Sequence, residues 1–367
     1  MSIGIVGEKA VVAGTRSHRV AFLRGGPGDE TGPEMADAAM RVLATLLAVE
    51  GAPDVEFVPI RSGFDCVAEC GTTLPPESLA KIVELGVAFK APNASAKTAS
   101  ERPTSLVLRR SLATYASVNH VRSYAGVKRR LASPPVDVVL VRDNSEGLFG
   151  VEPIEQTEDR VVDPRSVTRG GVERLARVAC DLAAARAGRL TVCAFPVGIP
   201  SDRFFIDVCE SVAQDYVGLE LTVRKVDAFA GTVIASPEQY DVVVAPSEWG
   251  SIMTDALAAA AGSVGLTARA NLGDSTAYFE PIHGTAPGKA GKGTVNPVSQ
   301  VLAGALLLEW LGRTRSDPAA SEAGRRLREA VTTVLSTGEV LTSDIGGRAT
   351  TSEMVEAICR HLTGVDG

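Results

Sequence analysis

Short apolar runs alternate along the chain with longer stretches whose apolar positions recur at helical spacing. Residues 20–23 form the first apolar run, and 34–49 follow with Met35, Ala39, Met40, Val42 and Leu43 on one helical face. Further strands are expected at 136–141, 190–195, 219–226 and 240–245, with helices at 172–187, 202–215 and 255–261 between or after them. The last hundred or so residues carry three more helical patterns, at 297–311, 322–335 and 352–362. Strands alternating with helices predict an α/β architecture built on an open sheet.

In such a fold a GxGxxG turn after a strand is the usual dinucleotide signal, and it is absent. Residues 25–32 (GGPGDETG) sit between a strand and a helix but have the wrong glycine spacing. On spacing alone they make only a glycine-rich turn. The 367 residues allow about two domains. With 45% hydrophobic and 22% charged residues, disorder and a disulfide scaffold are excluded. A net charge of −7 argues against a nucleic-acid partner, and no apolar run approaches the length of a membrane span. The N-terminal stretch lacks the layout of a secretory signal, so the default location is the cytoplasm. None of the six cysteines forms a CxxC pair, although Cys66 and Cys70 share a helical face, and no histidine has zinc-site spacing to another ligand. Reduced core thiols are expected.

Several segments bear a specific likeness to known enzymes. Gly28-Asp29-Glu30-Thr31-Gly32-Pro33-Glu34 resembles GDGIGPE, and Leu108-Arg109-Arg110 through Tyr115-Ala116-Ser117-Val118 resembles an LRK…YANLR helix. Val141-Arg142-Asp143-Asn144-Ser145-Glu146-Gly147-Leu148 is similar to VRENTEGLY, and Pro237-Glu238-Gln239-Tyr240-Asp241 to NPEQFDV. Most specific is Glu280-Pro281-Ile282-His283-Gly284-Thr285-Ala286-Pro287, followed by Ala290-Gly291-Lys292-Gly293 and Asn296-Pro297, against EPVHGSAP…AGKG…NP. Thr342, Asp344, Gly346, Gly347, Thr350 and Thr351 match TRDLGG…TT. These motifs resemble the β-decarboxylating dehydrogenases, the isocitrate/isopropylmalate dehydrogenase family, from about residue 19 to 361.

The resemblance implies an isopropylmalate-dehydrogenase-like fold with a mixed open sheet, distinct from the Rossmann type. It implies a larger nucleotide-binding domain from 1–114 and 262–367, with 1–18 as an added arm, and a smaller dimerisation and substrate domain from 115–261. It further implies hydride transfer from a hydroxy acid to NAD or NADP, with loss of CO2, a divalent metal (Mg2+ or Mn2+), and a homodimer whose active sites are shared.

By the same likeness, Glu280, His283, Gly284, Thr285, Ala286, Pro287, Lys289 and Asn296 belong to the cofactor loop. Gly288 stands where members preferring NAD carry aspartate, and Lys289 follows it, which leans the preference toward NADP. Arg109 and Arg142 match two of three arginines for a small carboxylate substrate, while the third position is Asn119. In the loop 95–105, Pro103 and Ser105 lie near positions that contact substrate. Asp227 and Asp255 match metal-ligating aspartates, Asp227 being the one given across the dimer, and Ser251 replaces a third. Asp143 and Asn144 would line the cleft floor.

The proton-transfer pair departs from the family. Ala194 aligns with the catalytic lysine and Phe149 with its tyrosine. Glu248 and Asp227 are the catalytic candidates that remain, Glu248 as a base; Cys193 and His120 flank the lost positions. Three functions follow as expectations: a divergent dehydrogenase for a hydroxy acid, a catalytically lapsed or regulatory dinucleotide-binding subunit, and an altered reaction such as non-oxidative decarboxylation.

Overall fold

In the computed structural model, which describes residues 17–94, 103–129, 131, 134–149 and 151–364, the apolar runs assemble into one long sheet. Its strands are β1 (His18–Leu23), β2 (Val55–Pro59), β3 (Val87–Lys90), β4 (Ala116–Arg122), β5 (Asp137–Asp143), β8 (Arg189–Ala194), β9 (Glu220–Lys225), β10 (Val242–Ala245), β11 (Ala268–Leu272) and β12 (Ala277–Pro281). A separate two-residue ribbon pairs β6 (Glu155–Gln156) with β7 (Val161–Val162). The order across the long sheet is β2-β1-β3-β12-β11-β4-β5-β10-β8-β9, and it does not close. The outer strands pair in parallel; β12–β11, β11–β4 and β4–β5 pair antiparallel. The expected open, mixed sheet is therefore what the chain forms. Half of it comes from the segments before 115 and after 261, and the halves meet where β11 pairs β4.

Helices cover both faces. On one face lie α1 (Gly32–Leu47), α5 (Arg169–Ala184), α6 (Pro200–Ala213), α9 (Val298–Thr314), α10 (Pro318–Thr337) and α11 (Thr351–Thr363), which share one continuous core with Phe89, Phe279, Ala270, Val118 and Val141. The other face carries two separate groups. Helix α3 (Pro76–Leu85) and α4 (Thr104–Ser111), beside the short α2 (Asp65–Cys70), pack on Ala21, Leu23, Ala88 and Tyr278. Helix α7 (Val226–Ala235) and α8 (Ser247–Ala261) pack on Val138, Leu140 and Val243. Between those groups the sheet face is left without a helix layer.

The outer elements follow their sequence patterns closely; α10, for instance, runs over Pro318–Thr337 with Asp317 accepting from Ala319 and Ala320 at its N-cap. The central ones do not. The likeness to a helix through residue 118 fails, because the helix stops at Leu112 and Ala113 turns at φ 47°, after which ASVNHVR forms β4. Valines at 118 and 121 favour the strand. Strands β11 and β12 have no counterpart among the apolar runs, since alternate residues in ARANL and AYFEP are polar yet buried, and β3 is only four residues long and ends on the buried Lys90. Helix α8 begins at Ser247, eight residues before its expected start at 255, because Gly250, Ser251 and Thr254 weaken the helical pattern there. The expected arm lies outside the described residues up to 16, and His18 already belongs to β1.

The glycine-rich turn after β1 is a backbone clamp. Asp29, fully buried, accepts from the amides of Gly26 (3.0 Å), Phe64 (3.1 Å) and Ala94 (2.9 Å). Gly63 has φ +108°, and a Cβ there would stand 1.8 Å from an Asp29 oxygen, so only glycine fits.

Candidate functional site

Strand parity builds the candidate site. Side chains alternate faces along a strand, and directly paired residues share a face. Arg269 pairs with both Glu280 and Asn119, and Asn271 pairs with both Tyr278 and Ser117. Ser117 in turn pairs with Arg142. Seven polar side chains from four adjacent strands thus point the same way, into the gap between the two helix groups, and Lys90 joins them from β3. The opposite parity carries the apolar core, which explains how such polar strands remain buried.

The polar groups hold one another. The Glu280 carboxylate accepts from Lys90 Nζ (3.1 Å), Ser105 Oγ (3.0 Å) and Asn271 Nδ2 (3.3 Å), with Arg269 at 3.8 Å. Burial alone would raise its pKa; Lys90, then Arg269 and Arg109, overcome that and hold it at about 2. Arg269 Nε donates to Asn119 Oδ1 (2.9 Å), and Asn119 Nδ2 donates to Leu140 O (3.2 Å). Arg109, on α4, donates to the Tyr278 hydroxyl (3.3 Å). Arg142 is 2% exposed and its Nε has no hydrogen-bond partner. Burial, then the charges of Arg269 and Arg109, push its guanidinium well below the ordinary range, although arginine keeps its proton. A buried cation with an unused donor beside two like charges is a receptor for an anion.

Asp255 faces the same cleft from α8. Partial burial raises its carboxyl, against the attraction of Arg269, Arg142 and His283. Asp143 accepts from the amides of Ser145 (2.7 Å) and Glu146 (3.0 Å), turning the chain after β5, and Asn144 Nδ2 donates to Asn271 (2.7 Å). Glu248 is neither a free base nor a solvated loop acid. It is 7% exposed in the first turn of α8 and ion-paired with Arg165, which also reaches Asp202 at 2.6 Å. His120 lies on the opposite face of β4 from Asn119, bonded to Asp137 at 2.6 Å, and Cys193 is sealed in the core under α7 and α8. Ala194, at the end of β8, is fully buried.

Asp227 is exposed at the start of α7, its Oδ1 accepting from Ala228 N. Among the described residues no three acidic, histidine or cysteine side chains gather as a metal site. The described residues of one chain therefore do not by themselves supply the several oxygen ligands that such a metal prefers.

The loop after β12 does fit a dinucleotide. His283 Nδ1 lies 2.9 Å from Gly284 O, so this nitrogen carries the proton and Nε2 is an acceptor, buried and without a partner. Burial lowers the His283 pKa and keeps the ring neutral. Thr285 bonds through its hydroxyl to Glu30 and through its carbonyl to Thr31, which ties the loop to the first turn. Ala286 takes the left-handed conformation at φ 44°, and Gly284 and Gly288 face open space. Asn296 is occupied within the chain, donating to Asp344 (3.1 Å) and accepting from Val298 N (3.0 Å). Lys289 reaches Ser343 Oγ at 3.4 Å. Pro287 opens the short turn that carries it. Glu280, expected in this loop, instead faces the arginines.

The structure thus brings Arg109, Arg142, Asn119 and Ser105 together, with Asp255 across the cleft. Of the expected substrate loop, residues 95–102 lie outside the described residues. Lys90, Arg269 and Asn271 are not found by sequence reasoning; the available signal for Arg269 and Asn271 is a polar residue at every second position of a strand whose other residues are apolar.

The comparisons agree with this layout. A family model described as isocitrate/isopropylmalate dehydrogenase matches residues 20–358. The chain is 34% identical over 346 residues to an isocitrate/homoisocitrate dehydrogenase of Thermus thermophilus, covering 91% of this chain and 96% of that protein. It is 31% identical to a probable tartrate dehydrogenase/decarboxylase of Bacillus subtilis, covering 92% and 96%. The crystal structure of isocitrate dehydrogenase from Methylococcus capsulatus superposes with a TM-score of 0.84 at 30% identity, covering 94% of this chain and 99% of that one. Among the described residues no helix is long and apolar enough to cross a membrane. The chain belongs to the isocitrate/isopropylmalate dehydrogenase family of oxidoreductases.

Proposed function

We propose that the protein is an NAD(P)-dependent dehydrogenase of a small hydroxy acid, with a proton-transfer apparatus altered from that of its family. The observation that carries this reading is the buried guanidinium of Arg142, its Nε without a hydrogen-bond partner, beside Arg109 and facing the same cleft as the loop that bears His283. The arginines bind and orient the substrate carboxylate, and the surrounding helix groups exclude water from it. His283 Nε2 and the loop backbone at Gly284–Gly288 hold the adenosine part of the dinucleotide, which when bound supplies the hydride acceptor. Lys289 favours the 2′-phosphate of NADP. Asp227 of a second copy completes the acidic side of the cleft opposite Asp255, so the working unit is a homodimer.

The test is incubation with NAD or NADP and a panel of hydroxy acids, following the absorbance of reduced nicotinamide. Turnover is expected, and Arg142→Ala should lower kcat/KM by about 100-fold, since losing a charged donor pair costs roughly 3 kcal/mol. Absence of turnover across the panel overturns the reading. Lys289→Ala should weaken NADP by about tenfold and NAD by less than about twofold; equal effects on both rule out a phosphate contact.

One observation favours a second reading. Ala194 offers only a methyl group at the end of β8, and Glu248 is engaged by Arg165. A subunit that binds dinucleotide without turning it over has this composition. Co-purification with an intact paralogue would support that reading, and turnover by the homodimer alone would exclude it.

A further inference from the structure

The face of the sheet turned away from the cleft carries a second group of cations. His120 and Arg122 lie on β4 with the parity opposite to Asn119, and Tyr124 follows just beyond the strand. With Arg328 of α10 they line a cavity of about 40 Å³, whose apolar wall is Ala268 of β11 and Leu302 and Leu306 of α9. That volume holds roughly three waters or one small oxyanion, and it is too small for a nucleotide. The cavity lies over the seam where β4 pairs β11.

The hydrogen bonds around it show what is missing. Two carboxylates are near, and both are taken: Asp137 by His120 Nε2 at 2.6 Å and by Arg186 at 2.8 Å, Glu309 by its ion pair with Arg328. Arg122 makes no hydrogen bond or ion pair among the described residues. The hydroxyl of Tyr124, a side chain only 5% exposed, has no partner among them either. Burial pushes this phenol up to about 12, against the nearby charges of Arg122 and Arg328, so it stays a donor at neutral pH.

His120 adds the opposite requirement. The Asp137 carboxylate can only accept, so His120 Nε2 carries the ring proton. Burial lowers the His120 pKa and keeps the ring neutral, which leaves Nδ1 as an acceptor. The cavity thus offers a free guanidinium, a phenol donor and one acceptor. An anion that also carries a hydroxyl satisfies all three. Sulfate and carboxylates have no proton to give at neutral pH, and a phosphate monoester, with a second pKa of about 6, has lost its own. Inorganic phosphate keeps one. We propose that this cavity is a binding site for inorganic phosphate, with Arg122, Arg328 and Tyr124 as donors to the anion and His120 Nδ1 as acceptor of its hydroxyl.

The experiment is equilibrium dialysis of the full chain against radiolabelled inorganic phosphate at slightly alkaline pH, with sulfate and glycerol phosphate as competitors. Saturable binding of one phosphate per chain is expected, with each competitor weaker by about tenfold or more. Arg122→Gln, which breaks no bond among the described residues, should weaken phosphate by about tenfold or more, and Arg122→Lys, which keeps the charge, should recover most of that loss. Tyr124→Phe should weaken it several-fold. Arg142→Ala, in the cleft on the other face, should leave it within about twofold. Absence of saturable binding overturns the proposal, and so does competition by sulfate equal to that by unlabelled phosphate, since the hydroxyl then has no acceptor. Binding that is lost in Arg142→Ala and kept in Arg122→Gln places the anion in the cleft and overturns it as well.

Discussion

At the scale of single residues, the site is a buried charge cluster whose members depend on one another. Glu280 is the clearest case. Its folded pKa, about 2, lies below the unfolded value near 4.5, so its ionised form stabilises the fold above pH 4.5 and that contribution is lost as the pH falls toward 2. Glu280→Gln removes the titrating group and leaves Lys90 and Arg269 without their anion. The variant should be less stable than wild type at pH 7, and its urea midpoint should fall less steeply between pH 4.5 and 2. Equal slopes for the two proteins would show that Glu280 is not the group responsible. Arg109 and Arg142 are legible in the sequence because each sits in a stretch that resembles a family motif, LRR before YASV and VRDNSEGL. Arg269 and Lys90 are not, because ARANL and VAFK read locally as weak strands, and only the pairing register shows which neighbours their side chains meet.

At the scale of elements, contact between α8 and β5 decides the shape of the cleft. Gly250 makes that contact possible: a Cβ there would lie 2.4 Å from Cβ of Arg142, an atom fixed to the strand. Gly250→Ala must push α8 outward or turn Arg142 away. Overpacking of this kind costs about 1–3 kcal/mol, so a lower Tm is expected together with weaker carboxylate binding. Dinucleotide binding, which belongs to the loop after β12, should change little; a Tm and carboxylate affinity equal to wild type would mean that the helix has room to spare. The same contact explains why sequence reading starts α8 late. Gly250 allows the close approach to the sheet, and glycine, serine and threonine at 250, 251 and 254 lower the local helical signal. The outer helices, which face solvent on one side, show clean periodicity, whereas the central strands carry function on one face and core on the other.

At the scale of the whole molecule, the cleft exists because the helices on one side of the sheet come in two groups that do not meet. On the reading proposed above, that arrangement leaves one side of the chemistry to a second copy of the chain. Asp255 looks into the cleft, but Asp227 lies exposed at the start of α7, and large apolar side chains at Phe149, Ile154, Val161 and Ile252 are between 48% and 72% exposed. Such surface in a stable chain is ordinarily covered by a partner. In a homodimer with shared sites, each site takes Arg142 from one copy and Asp227 from the other. Arg142→Ala and Asp227→Ala chains should each be inactive alone. After unfolding and refolding together in equal amounts, half the dimers are mixed, and each mixed dimer has one intact site. Activity should then recover to about a quarter of wild type. If the mixture stays inactive while sedimentation shows that mixed dimers have formed, both residues belong to one chain's own site, and the shared-site arrangement is wrong.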